Sequence, residues 1–96
     1  MVQQIEQLLR DDAPSLASVE HTLTEGYARA LALEAERLRI EKRVVEVVKD
    51  VGADQAAELK SLGTRLTHAD GEIERLRTLL STLADRAKKL RAVQAS

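Results

Sequence analysis

Apolar residues recur along the second half of the chain in alternating steps of three and four. The series is Leu59, Leu62, Leu66, Ala69, Ile73, Leu76, Leu80, Leu83, Ala87 and Leu90. This spacing is typical of the a/d seam of a coiled coil, and here it extends over more than four heptads. It predicts one long amphipathic helix with a narrow apolar face.

The first half of the chain carries the same pattern with two departures, Gly26 and Arg37. Its series is Leu16, Val19, Leu23, Gly26, Ala30, Leu33, Arg37, Ile40, Val44 and Val47. Between the two series, Lys49 is followed by Gly52, which suits a left-handed helix cap, and by Asp54, which suits a helix start. This order predicts that one helix ends here and another begins.

We therefore predict an all-α fold, an antiparallel two-helix coiled-coil hairpin that is completed to a bundle by self-association or by a partner. Each helix would measure about 54 Å, and the short turn would bring the second helix back beside the first. Pro14 is expected in the first turn of the first helix. The predicted segments are 1–11 (short amphipathic segment), 12–50 (first helix), 51–54 (turn), 55–91 (second helix) and 92–96 (frayed tail).

The two series predict the register of the hairpin. In an antiparallel pair, facing residue numbers add up to a constant, and a constant of 106 brings every seam residue opposite another. Gly26 then faces Leu80, and Arg37 faces Ala69, so small residues meet large ones as a well-packed core requires.

Charged residues give this register partial support. Residues 12–36 hold five acids and one base, whereas residues 75–91 hold six bases and one acid. The flanking pairs Glu20–Arg91 and Glu34–Arg77 should attract, and the pairs Glu36–Glu72 and Arg43–Arg65 should repel. Exposed pairs contribute little, so the apolar seam decides the register.

Arg37 is the charged residue of the predicted seam. Its stem can lie over Ala69 with the guanidinium in water, or it can be a polar residue that fixes register or partner choice. With the first arrangement, Arg37→Leu is expected to raise the melting temperature.

The first helix carries more apolar residues than one seam can bury. We define as the stripe the residues that adjoin the seam, Tyr27, Leu31, Leu38, Val45 and Val48. The second helix offers little to match them beyond Leu79. Because burying one aliphatic side chain gains about 1.5–3 kcal/mol, an exposed stripe favours association. The stripe is the candidate partner interface.

Three arrangements would cover the stripe. The segment 1–11 could fold back with Val2, Ile5, Leu8 and Leu9, although it is too short to cover the whole stripe. A second copy could pack first helix to first helix in a homodimeric four-helix bundle. Another protein could supply a helix that packs on the stripe as a helix packs in a groove.

Composition narrows the possible functions. The net charge is −1 and aromatic residues amount to 1%, which argues against nucleic acid as a partner. The chain has no cysteine, and neither a membrane-spanning run nor a signal peptide is recognised in its sequence. We expect a cytoplasmic location, with signal-independent export left open.

No residues form a pattern typical of catalysis or of ligand binding. His21 and His68 fall on outer positions and are not clustered, so no metal site, cofactor or small-molecule substrate is expected. The serines have no partner histidine, and the basic stretch 86–91 has no aromatic residues to stack on bases. We expect no enzymatic activity.

The favoured function is therefore a non-enzymatic protein–protein interaction module. It would serve as a scaffold, an adaptor or a chaperone-like subunit of a larger assembly and would bind through the stripe. The alternative is a coiled-coil regulator that sequesters a transcription or signalling protein. In that case Arg39, Arg43 or Arg65 could bind an anionic ligand.

Overall fold

The computed structural model describes residues 1–50, 52 and 54–95, and this part of the chain forms three helices and no strand. These are α1 (Val2–Arg10), α2 (Leu16–Lys49) and α3 (Gln55–Ala95). α2 and α3 pack side by side in opposite directions, and α1 packs on α3 with a small contact to α2. The described residues extend over 65 × 19 × 14 Å. The predicted all-α class and hairpin are confirmed.

α2 begins at Leu16, four residues later than the predicted start at residue 12. Ser15 is the N-cap, and its hydroxyl accepts a hydrogen bond from the Ser18 amide at 3.1 Å. Pro14 lies outside the helix and is buried. Because Asp11 Oδ1 accepts the amide of Ala13 at 3.0 Å, the residues before the cap form a turn.

Gln55 holds the two helices together at the closed end of the hairpin. Its side-chain amide donates to the carbonyls of Val47, at 3.0 Å, and Val48, at 3.2 Å, which belong to the last turn of α2. The left-handed cap expected at Gly52 is wrong, because α2 ends at Lys49 and its C-cap is Asp50 in an extended conformation, whose amide donates to the carbonyl of Val47. Val51 and Ala53 lie outside the described residues.

α3 extends to Ala95, and the tail predicted at 92–96 is therefore helical as far as it is described. The physical reason is the sequence beyond Gly71, which contains no glycine or proline to end the helix. The helix consequently continues past the last seam residue, Leu90.

The packing of the core agrees with the predicted register. A side chain on Gly26 would collide with Leu80, the residue that the register places opposite it. The larger apolar cluster is built on the buried residues Ile5, Val19, Leu23, Ala30, Leu33, Leu76, Leu80, Leu83 and Ala87. The smaller cluster is built on the buried residues Ile40, Val47 and Leu62. The two clusters are separated at the layer of Arg37 and Ala69, as the register requires.

The two attractive pairs expected between the helices are present. Arg91 Nε lies 3.4 Å from Glu20 Oε1, and Arg77 Nε lies 2.8 Å from Glu34 Oε1. The four side chains are 39–54% exposed, so water screens these pairs and they contribute little to the free energy of unfolding.

Arg37 and Arg43 also join α2 to α3. Arg37 bonds Asp70 across the hairpin and Glu41 on its own helix, and Arg43 Nη2 lies 2.7 Å from Glu58. Hydrogen bonding to Asp70, with the charges of Asp70 and Glu41, raises the pKa of Arg37 above its ordinary value. Hydrogen bonding, to Glu58 first, raises the pKa of Arg43 likewise. A base whose pKa is raised in the folded state stabilises the fold at low and neutral pH, and this stabilisation is lost only at high pH. Neither arginine therefore titrates near neutral pH.

Candidate interaction surface

The stripe lies in solvent along one side of α2. Its residues are exposed by 46–64%, with Leu31 the most and Tyr27 the least exposed. Leu31 and Leu38 each follow a seam residue by one position, which turns them about 100° around the helix axis from α3. The stripe is therefore an apolar surface on a rigid helix that α3 does not cover.

α1 does not cover the stripe either. Its buried residue Ile5 belongs to the larger core cluster, and Leu79 of α3 packs against the same cluster. α1 approaches α2 near Thr22 and Glu25, on the side away from the stripe. The arrangement in which residues 1–11 close the stripe is thus wrong. The physical reason is the apolar site beside Leu79, which accepts α1 on the α3 side.

Arginines of α3 hold α1 in place. Arg86 donates to the carbonyl of Leu9 at 3.2 Å and also to the carbonyl of Asp11, at the carboxyl end of α1. Arg75 Nη2 lies 2.7 Å from Glu6. Arg86 therefore satisfies carbonyls that the last turn of a helix leaves open and places a positive charge at the negative end of the helix dipole.

The sequence pattern does not predict that Arg75 and Arg86 anchor α1. The signal was present in part, since Leu79 is an apolar residue outside the α3 seam and the apolar residues of 1–11 have no partner in the hairpin. The bonds from Arg86 go to backbone carbonyls, which no pattern of side chains reveals.

The two histidines lie on separate outer surfaces. His21 Nε2 is 2.9 Å from Glu25, and His68 Nδ1 is 3.1 Å from Glu72. Each pair is the i,i+4 neighbour pair of a solvated helix. Among residues 1–50, 52 and 54–95, no group of three or more His, Cys, Asp or Glu residues could hold a metal ion.

The arginines considered for anion binding are not brought together. Arg43 is already engaged by Glu58 and by Glu46, the latter at 3.2 Å. Arg39 is exposed on α2, whereas Arg65 is exposed on α3 beside a shallow groove lined by His68. The geometry offers no convergent set of donors for an anion.

Cationic side chains flank the stripe at its carboxyl end. Three of these, Arg39, Lys42 and Lys49, make no ion pair with any described residue. They are exposed, as are Ala28 and Ala35, which lie between residues of the stripe. The surface thus combines apolar residues, two small residues and solvated positive charge.

Comparison with known proteins adds no assignment to this surface. The chain matches no protein-family profile, no curated protein and no solved structure. In the part of the chain that the structure describes, no helix is long and apolar enough to cross a membrane.

Proposed function

We propose that this chain is a non-enzymatic protein–protein interaction module that binds through the stripe on α2. The observation that carries the proposal is the exposure of five large apolar side chains along one side of a helix whose seam is packed against α3. A contiguous apolar surface of this kind is typical of an interaction site.

The rigidity of α2 favours binding over a role as a spacer. Its seam is buried against α3 over nearly its whole length, and its start and end are capped by Ser15 and Gln55. The stripe is therefore presented in a fixed geometry, and little conformational entropy is lost when a partner binds.

Site-specific photocrosslinking tests the proposal. The photoreactive residue p-benzoylphenylalanine would replace Leu38 in the stripe and, as a matched control, Val93 on α3. Val93 is 73% exposed and lies outside the stripe, so it controls for exposed apolar surface in general. The chain would be crosslinked in the cells that produce it, at its natural abundance.

We expect a discrete covalent adduct from position 38 and none of the same mass from position 93. The adduct supports the proposal whether its mass is that of two copies or of this chain with another protein. Adducts of equal yield from both positions, or no discrete adduct from position 38, would contradict it.

A further inference from the structure

The exposed side of α2 carries a second coiled-coil series. Its residues are Thr24, Ala28, Leu31, Ala35, Leu38, Lys42, Val45 and Lys49, again in alternating steps of four and three. None of these side chains is buried by α1 or α3. Spacing of this kind is what a helix needs in order to pack along another helix. Five of the eight residues are apolar, so this side of α2 can pack along a second helix in addition to α3.

Charge along α2 changes sign near the middle of this series. Residues 16–36 contain four glutamates and one arginine, whereas residues 37–49 contain five bases and two glutamates. A helix that runs antiparallel to α2 and has the same charge distribution would match acidic half to basic half. A parallel copy would place like halves together, which is unfavourable.

We infer that the occupant of the stripe is a second copy of this chain, with α2 packed antiparallel on α2 about a two-fold axis near residues 36 and 37. This inference rests on the proposed function and names its partner. Facing residue numbers of the two copies add up to 73, because the axis lies where the charge changes sign. The interface is isologous, since each copy presents the same surface.

The same axis also pairs small residues with large ones. Ala35 faces Leu38 of the second copy, and Ala28 faces Val45 of the second copy. Two alanines at these positions let the helices approach closely while the larger residues fill the layers. Tyr27 comes beside Val48 of the second copy. Each of these contacts occurs twice by symmetry.

Two layers remain, and both are compatible with this register. In the outer one, Thr24 lies against the aliphatic stem of Lys49 of the second copy. Leu31 lies against the aliphatic stem of Lys42 of the second copy, whose ammonium group makes no ion pair within the described hairpin.

On the flanks, Glu25 comes near Glu46 of the second copy, and Glu34 comes near Glu41 of the second copy. Each of these carboxylates already contacts a histidine or an arginine of its own chain. An exposed like-charge pair costs less free energy than the burial of apolar side chains gains. The register is therefore decided by the apolar layers and by the change of charge sign along α2.

Introduced cysteines test this register in the full chain, because the natural chain contains no cysteine. The test variant carries Ala28→Cys together with Val45→Cys, and the control carries Ala28→Cys alone. Within one chain the two positions lie about 25 Å apart along α2, so they cannot join intramolecularly. In the inferred dimer they face each other across the interface at a distance suited to a disulfide.

We expect a covalent dimer from the double variant after mild oxidation, and at least tenfold less from the control. Light scattering of the unmodified chain should give twice the mass of one chain, and Leu38→Glu should give the mass of one. Equal crosslinking in the control would show a parallel pair and overturn the inference. An unmodified chain that stays a monomer would overturn it too, whereas a photocrosslinked adduct with another protein would leave the proposed function standing.

Discussion

Gly26 is a position where the hairpin accepts only a hydrogen atom. A Cβ there would collide with Leu80 Cδ2, and Leu80 is buried in the larger cluster. Gly63 is different, since a Cβ there would meet nothing within 4 Å. Both glycines are inside helices, so replacing either removes the backbone penalty of glycine, about 1 kcal/mol relative to alanine.

We therefore expect Gly63→Ala to raise the free energy of unfolding by about 1 kcal/mol. Gly26→Ala should not raise it, because the strain of overpacking, about 1–3 kcal/mol, offsets the gain. Urea denaturation followed by circular dichroism measures both. Leu80→Ala removes the obstructing methyl groups, so in that background Gly26→Ala should become stabilising. A stabilising effect of Gly26→Ala in the natural background would show that the helices separate easily.

Arg37 interrupts an otherwise apolar seam and keeps its guanidinium in water, where it bonds Asp70 and Glu41. These exposed pairs add little stability, whereas a leucine would pack between Leu33 and Ile40 and join the two clusters. We expect Arg37→Leu to raise the melting temperature and Arg37→Ala, which loses the same pairs without adding a large side chain, to leave it unchanged or lower. A lower melting temperature for the leucine variant would show that the ionic bonds dominate.

At the scale of the element, α1 depends on the hairpin for its structure. A nine-residue helix is not stable alone in water, so its order comes from burying Ile5 and from the bonds of Arg86 and Arg75. Ile5→Asp should release α1 and leave the hairpin folded. Since α1 supplies nine helical residues beside 34 in α2 and 41 in α3, the helical dichroism should fall by about a tenth.

Gln3→Asp is the matched control for this experiment, because Gln3 is exposed on the same helix. It adds the same charge and should leave the dichroism unchanged. A cooperative loss of the whole signal in Ile5→Asp would show that α1 is required for the hairpin to fold.

The long helices and their register were predictable because periodicity is a property of the sequence alone. The two series, the opposition of Gly26 to Leu80 and the break at Arg37 all follow from counting apolar positions. The start of α2 was less predictable. Pro14 and Ser15 are both typical of helix starts, and only the hydrogen bond to the Ser18 amide decides between them.

The stripe was also visible in the sequence, but its surroundings were not. Whether Tyr27 and Leu31 stay exposed depends on where α1 packs, and that choice is made by a tertiary site beside Leu79. Competition between two apolar surfaces for one short helix cannot be resolved from periodicity. It depends on the bonds that Arg86 makes to backbone carbonyls at one of the two surfaces.

At the scale of the whole molecule, stability is distributed unevenly along the hairpin. The end that carries α1 contains the larger cluster, whereas the end near the turn contains only the buried residues Ile40, Val47 and Leu62, with partly buried neighbours around them. Local opening requires less free energy where fewer apolar contacts are broken. The layer of Arg37 and Ala69 is therefore the boundary at which the end near the turn can open while the end that carries α1 stays folded.

Hydrogen exchange followed by mass spectrometry measures this difference. Under conditions that keep the chain a monomer, for which Leu38→Glu is the background, peptides from 40–66 should exchange before peptides from 19–33 and 76–90. Adding Arg37→Leu should slow exchange in 40–66 toward the rate of the peptides from 19–33 and 76–90, because the leucine joins the two apolar clusters into one. Uniform exchange along both helices before that substitution would mean that the hairpin opens as a single unit. Arg37 would then separate the two apolar clusters without allowing either end to open independently.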